Sequence, residues 1–229
     1  MKIALGTVQF GLNYGVANES GQVKSAEVEK ILFEAAKNRI HILDTAIAYG
    51  ISEEVLGKAG VDEFRVVTKL PPLPADQRNI SLWVRDNAKA SLARLRREKL
   101  DRKFLHRQQG VLALRGNHVF EESINLKNEG VVYKIGISIY SPDELDRLEG
   151  FFNKNQIDLV QAPLNVIDRS METSGWLDRL KNDGVEIHAR SAFLQGLLLM
   201  ERSEIPQKFS RWSKLWDQWH EELKIAGVT

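Results

Sequence analysis

Short apolar runs alternate along this chain with longer amphipathic ones. The apolar runs lie at 3–7, 40–45, 65–69, 102–106, 132–138, 157–161 and 185–191. They are rich in Val, Ile and Leu and do not alternate strictly with polar residues. That pattern predicts strands buried on both faces, as in a parallel sheet. The intervening stretches predict helices. Ser25 precedes one with Val28, Ile31, Leu32, Ala35 and Ala36 on a single face, and Ser81 precedes another with Val84, Ala88, Ser91, Leu92 and Leu95. Ser141-Pro142-Asp143-Glu144 supplies a cap, a first-turn proline and a capping-box glutamate. Gly130 and Gly184 follow helical stretches, where a left-handed residue commonly ends a helix. A last helix is expected at about 207–225, with Trp212, Trp216, Trp219 and Leu223 as an apolar stripe. The stripe reads either as a core-facing side or as a seam that recruits a second chain.

Seven βα units in a row suggest an open doubly wound sheet or a closed (β/α)8 barrel. A dinucleotide-binding sheet should carry Gly-x-Gly-x-x-Gly after its first strand. The first turn here reads Gly6-Thr7-Val8-Gln9-Phe10-Gly11 and does not match. The expectation is therefore an α/β chain of the (β/α)8 TIM-barrel type, one domain over 1–229. Such a barrel needs eight strands and about 250 residues. Seven are visible, so the chain reads as a barrel lacking its last βα unit.

Composition narrows the options. With 43% hydrophobic and 28% charged residues, the 229-residue chain can bury a core. A net charge of +1 gives no electrostatic case for nucleic acid or an anionic membrane as partner. The absence of cysteine excludes disulfides and thiol nucleophiles. The apolar start, Met1 to Gly6, is too short for a signal peptide, and no run reaches the roughly 18 apolar residues of a membrane helix. A cytoplasmic location is the resulting expectation.

Candidate chemistry sits where the strands end. Asp44 closes Ile40-His41-Ile42-Leu43, and Tyr49 follows in the next loop. Lys69 closes Arg65-Val66-Val67-Thr68, and His106 closes Lys103-Phe104-Leu105. At the same end of successive strands, an acid, a phenol, an amine and an imidazole can converge and exchange protons with a carbonyl oxygen. A lysine inside an apolar run is costly unless it is paired or functional.

The run Asp44-Thr45-Ala46-Ile47-Ala48-Tyr49-Gly50-Ile51-Ser52-Glu53-Glu54-Val55-Leu56-Gly57 resembles the signature of the aldo-keto reductases. Val67-Thr68-Lys69, Phe104-Leu105-His106, Lys134-Ile135-Gly136-Ile137-Ser138 and Leu159-Val160-Gln161-Ala162-Pro163-Leu164-Asn165 resemble the family's further motifs, in order. The likeness implies a (β/α)8 barrel that reduces aldehydes and ketones with NADPH, NADH remaining open. It implies that Tyr49 is the general acid, that Lys69 lowers its pKa, that Asp44 holds Lys69, and that His106 orients the substrate oxygen. It places Thr7, Val8, Ser138, Gln161, Asn165, Arg190 and Ser191 around the cofactor. The implied partner is a small carbonyl compound.

Three departures stand out. Ile139 follows Ser138 where the family often has Asn. Arg190 occupies the seventh run where the family often stacks a tyrosine on the nicotinamide; it could stack on a ring, grip an anion or form a salt bridge. The family's phosphate-binding end is not visible. Weak cofactor binding and self-association through an open barrel edge are the corresponding expectations. The alternative reading is a truncated, catalytically weak or inactive relative, or an incomplete fragment, acting as a binding protein.

Overall fold

A computed structural model describes residues 3–106, 116–152 and 157–228, with backbone alone for 103–106, 116 and 149–152. Among the described residues, seven strands form one sheet: β1 (Leu5–Gly6), β2 (Ile42–Asp44), β3 (Arg65–Lys69), β4 (Leu100–His106), β5 (Val132–Ser138), β6 (Leu159–Pro163) and β7 (Glu186–Arg190). They pair in chain order, and every pairing is parallel. A parallel connection needs a crossover, and helices supply it. In chain order these are α1 (Val8–Gly11), α2 (Ser25–Lys37), α3 (Ser52–Ala59), α4 (Ile80–Leu95), α5 (Gly116–Asn128), α6 (Asp143–Phe152), α7 (Ser170–Thr173), α8 (Trp176–Asn182) and α9 (Ser213–Ile225).

The main core lies between the sheet and its helices. Val28 and Leu32 of α2, Leu56 of α3 and Val84 and Ala88 of α4 pack with outward-facing strand residues such as Leu43, Val66, Ile135 and Ile137. Val67 and Leu159 form a smaller cluster with Ile42 inside the curl. Alternation along each strand separates the two sets.

The sheet is strongly curled. In a flat sheet with about 4.8 Å between strands, the second and sixth strands would be roughly 19 Å apart. Yet Gln161 on β6 donates to Asp44 on β2 at 2.7 Å. Lower in the curl, Arg102 on β4 reaches Glu186 on β7 at 2.8 Å. Lys134 on β5 donates to the same carboxylate at 2.7 Å, and His188 lies 2.8 Å from it. Burial pushes the Glu186 carboxyl up, but Lys134, His188 and Arg102 together outweigh burial and hold it at about 2. A charged cluster thus ties the middle of the sheet to its last strand. The barrel-type architecture is as expected, as a half-barrel of seven strands whose outer members are β1 and β7. Beyond those edges, the loops are joined: Val16 and Ala17, after β1, both donate to the Gln195 carbonyl, after β7.

Some local expectations shift. The cap of α4 is Asn79, whose side chain accepts from the Leu82 amide at 3.0 Å, so Ser81 lies inside the helix. Ser25 is likewise the first residue of α2, after Lys24. Gly130 and Gly184 do take left-handed conformations, with φ of 73° and 71°. The expected final helix divides into a 3-10 turn, Gln207–Trp212, and α9. Trp216 is buried against Leu197 and Leu198 of the segment after β7, with Trp219 half-buried beside it. The stripe therefore packs on that segment, apart from the main core, and Trp212 remains exposed.

Candidate active site

Asp44 and Lys69 close neighbouring strands; the register sets Asp44 beside Val67, and Lys69, two residues further along β3, faces the same side. The Lys69 ammonium lies 2.5 Å from Asp44 Oδ1 and donates to the Thr45 carbonyl at 2.9 Å. Only 2% of the Lys69 side chain is exposed, against 17% for Asp44. Burial lowers the lysine's pKa and Asp44 opposes that shift. The other Asp44 oxygen accepts from Gln161, whose own carbonyl oxygen accepts from Ser138 Oγ at 3.3 Å. A hydrogen-bonded row, Ser138–Gln161–Asp44–Lys69, therefore crosses the mouth from β5 and β6 to β2 and β3. The carboxylate and the carbonyl offset the cost of burying this lysine in its charged form.

Tyr49 is placed by the turn after β2. Ile47 donates to the Lys69 carbonyl, Tyr49 to Ala46, and Ser52 back to Tyr49. Two glycines allow this loop to dock on α1. A Cβ on Gly11 would overlap the Tyr49 carbonyl, and one on Gly50, at φ 58°, would meet the Gly11 carbonyl at 2.5 Å. The docked loop sets the Tyr49 ring 5.1 Å from the Lys69 ammonium. The phenol's pKa is nonetheless raised, first by burial and next by the Asp44 charge, with Arg190 opposing. The expectation that Lys69 draws it down does not describe this geometry, because Asp44 already answers the ammonium charge.

The remaining expected residues occupy varied positions. Thr7 is fully buried; its hydroxyl donates to the Asp44 carbonyl at 3.0 Å and lies 3.0 Å from Ser52 Oγ. It braces the β2 strand end from behind. Val8 opens α1 and is half-buried. Ser138 and Gln161 are buried at the mouth. Asn165 Oδ1 caps the turn ahead of α7 by accepting from Ile167 and Asp168, and its amide donates to the Ser191 carbonyl at 3.2 Å. Ser191 adopts φ 57°. Arg190 stacks on Tyr140 at 4.4 Å and donates to the Ile139 carbonyl at 2.8 Å. His106 ends β4 in register with Ser138; its side chain lies outside the described residues.

Several contributors were not legible in sequence. Tyr14 and Tyr140 lie close enough to Tyr49 to act on its ionisation, so three of the chain's four tyrosines gather here. Glu53, 2% exposed, accepts from Thr68 at 2.6 Å and pairs with Arg94, which fixes α3 against β3 and α4. Glu53 falls within the quoted run, but nothing in its spacing announces this partner.

The family model described as the aldo/keto reductase family matches residues 2–227. D-arabinose 1-dehydrogenase of Saccharomyces cerevisiae is 26% identical over 201 residues, covering 81% of this chain and 59% of that protein. The NADH-specific methylglyoxal reductase of Escherichia coli is 26% identical over 220 residues, covering 86% and 66%. The chain thus spans about three fifths to two thirds of the length of these curated relatives. Among solved structures, the glycerol dehydrogenase of Gluconobacter oxydans superposes with a TM-score of 0.71 at 23% identity, over 99% of this chain and 75% of that one. The holo form of an aldo-keto reductase from Bacillus halodurans gives 0.70 at 22% identity, over 90% and 66%. These two likenesses concern the fold. On the match to the family model, the chain belongs to the aldo/keto reductase family.

Proposed function

We propose that this aldo/keto reductase family member reduces an aldehyde or ketone to an alcohol, with NADPH as hydride donor and Tyr49 as general acid. The observation that carries the reading is the Tyr49 phenol held beside the buried Lys69–Asp44 pair. A reduced nicotinamide, when bound, supplies the hydride that reaches the carbonyl carbon. The oxygen then needs one proton. Tyr49 provides it, and its raised pKa keeps the phenol protonated throughout the neutral range. Lys69 faces the ring at 5.1 Å and, paired with Asp44, forms the fixed floor against which the phenol is positioned. Asp44 holds that cation in place, and Thr7 holds Asp44. His106, in register with Ser138, is assigned to hydrogen-bond the substrate oxygen.

The donor set also suits a carboxamide. Gln161 gives one amide hydrogen to Asp44 and Asn165 gives one to Ser191, so each retains a second. The Ser138 hydroxyl, whose one hydrogen goes to Gln161, keeps lone pairs to accept from the carboxamide. The relation to an NADH-specific relative makes the choice between NADPH and NADH part of the test.

Loss of reduced-nicotinamide absorbance with aromatic aldehydes, using each cofactor in turn, tests the reading. Turnover that drops about 10²–10⁴-fold in Tyr49→Phe while cofactor binding persists is the expected result. Turnover that survives the substitution removes Tyr49 from the role.

A further inference from the structure

The interior of the curl carries several cations, and the others named so far each meet a carboxylate. Lys69 rests on Asp44, while Arg102 and Lys134 rest on Glu186. Arg190 differs. Its three contacts are neutral: the Tyr140 ring at 4.4 Å, the Ile139 carbonyl at 2.8 Å and Ser191 Oγ at 3.3 Å. Among the described residues, no carboxylate lies within ion-pairing distance of it. Glu144 senses its charge from further off, with a carboxyl that burial pushes up.

The place and pose of Arg190 are informative. It ends β7 at the mouth, and its charge acts on both Tyr49 and Lys69, so it shares the mouth with them. The guanidinium is held flat by the Tyr140 ring and anchored at two nitrogens. A guanidinium has five N–H donors in a rigid fork, and two of them are used among the described residues. Stacking has already restricted a side chain that would otherwise lose rotamer freedom on binding a ligand. A half-buried cation with no carboxylate in ion-pairing reach among the described residues, and with donors to spare, suits an anion.

We propose that Arg190 grips a carboxylate on the substrate, so that the site prefers oxo acids, that is, aldehydes or ketones that also bear a carboxylate. The inference rests on the carbonyl-reduction reading and names the substrate class for that site. Tyr49 meets the carbonyl oxygen while Arg190 holds the acid group, and the two contacts orient the molecule. Tyr140 is the positioning residue that keeps the fork flat.

The test compares 4-carboxybenzaldehyde with its neutral methyl ester, in turnover and in direct calorimetric binding. The wild-type chain is expected to favour the acid by about 10–100-fold in kcat/KM, mainly through KM, as for a charged hydrogen bond. Arg190→Met should erase the preference, Arg190→Lys should keep part of it, and added salt should shrink it in the wild type. Equal use of acid and ester, or a preference that survives Arg190→Met, overturns the proposal. If Arg190→Met raises the KM of the cofactor instead, the guanidinium serves a cofactor phosphate and the proposal also fails. Arg190-dependent binding of the acid without turnover sinks the reductase reading and leaves the carboxylate grip standing. Absence of both turnover and such binding ends both.

Discussion

Asp44→Ala tests how the candidate site is held together. The substitution removes the carboxylate from the Lys69 ammonium, 2% exposed, and keeps the Thr45 carbonyl at 2.9 Å. Removing one member of a buried pair costs about 3–5 kcal/mol. Losing the proton sets a ceiling on that cost. Keeping a lysine of free pKa about 10.4 neutral takes about 4.6 kcal/mol at pH 7 and about 1.9 kcal/mol at pH 9. Gln161 loses its acceptor as well, adding about 1 kcal/mol. The sign is fixed by proton binding. The unfolded chain carries a proton that the folded variant sheds, so the variant gains stability as pH rises toward the free lysine value. Burial pulls Lys69 in the same direction in the parent chain, but there Asp44 resists. Urea midpoints for both chains, read from the fluorescence of the five tryptophans, give the comparison. The expected loss is about 4–5 kcal/mol at pH 7 and about 2–3 kcal/mol at pH 9. An equal loss at both pH values would mean that Lys69 keeps its charge without Asp44, and the account of the pair would fall.

Three further outcomes follow from the same geometry. Because the Glu186 carboxyl is held at about 2, the stability it contributes is complete above the ordinary glutamate range and declines as pH falls toward that value; Glu186→Gln should flatten this part of an acid-unfolding curve, and an unchanged curve refutes it. Since the Tyr49 phenol is raised, carbonyl reduction should stay level through mildly alkaline pH while alcohol oxidation, which needs the phenolate, climbs steadily; a fall in reduction between about pH 7 and pH 9 contradicts this. Gly11→Ala forces a Cβ into the Tyr49 carbonyl, so it should cost about 1–3 kcal/mol and lower turnover about 10²-fold by shifting the loop. Normal turnover in that variant would show that the loop tolerates the shift.

The candidate site was partly legible because its residues end strands. Where an apolar run stops at Asp44 or Lys69, the residue type and its place announce a polar function. Partnership across the curl was not legible. Gln161 meets Asp44 from four strands away, and no local spacing encodes that distance. Arg102 posed a different problem. It stands between Asp101 and Lys103, and a period-two pattern alone does not say which of the three faces inward. The helix caps misled in a simpler way. Asn79 and Ser81 both can cap, and the bond to the Leu82 amide decides for Asn79. The fate of the tryptophan stripe depended on the segment 194–199, whose backbone bends through left-handed residues Leu194, Gln195 and Gly196 before Leu197 and Leu198 meet Trp216.

The hydrogen bond between Gln161 and Asp44 spans 117 residues, while that between Thr7 and Asp44 spans 37. Closing the longer loop costs about 1 kcal/mol more in chain entropy. It also requires every strand between β2 and β6 to be aligned first. The row of groups across the mouth is therefore among the last parts to assemble when the chain folds. Helices and neighbouring strand pairs form from nearer contacts, so after dilution from denaturant the ellipticity of the chain should return ahead of its candidate site. A chain arrested partway would look well structured and yet have no place to put a proton.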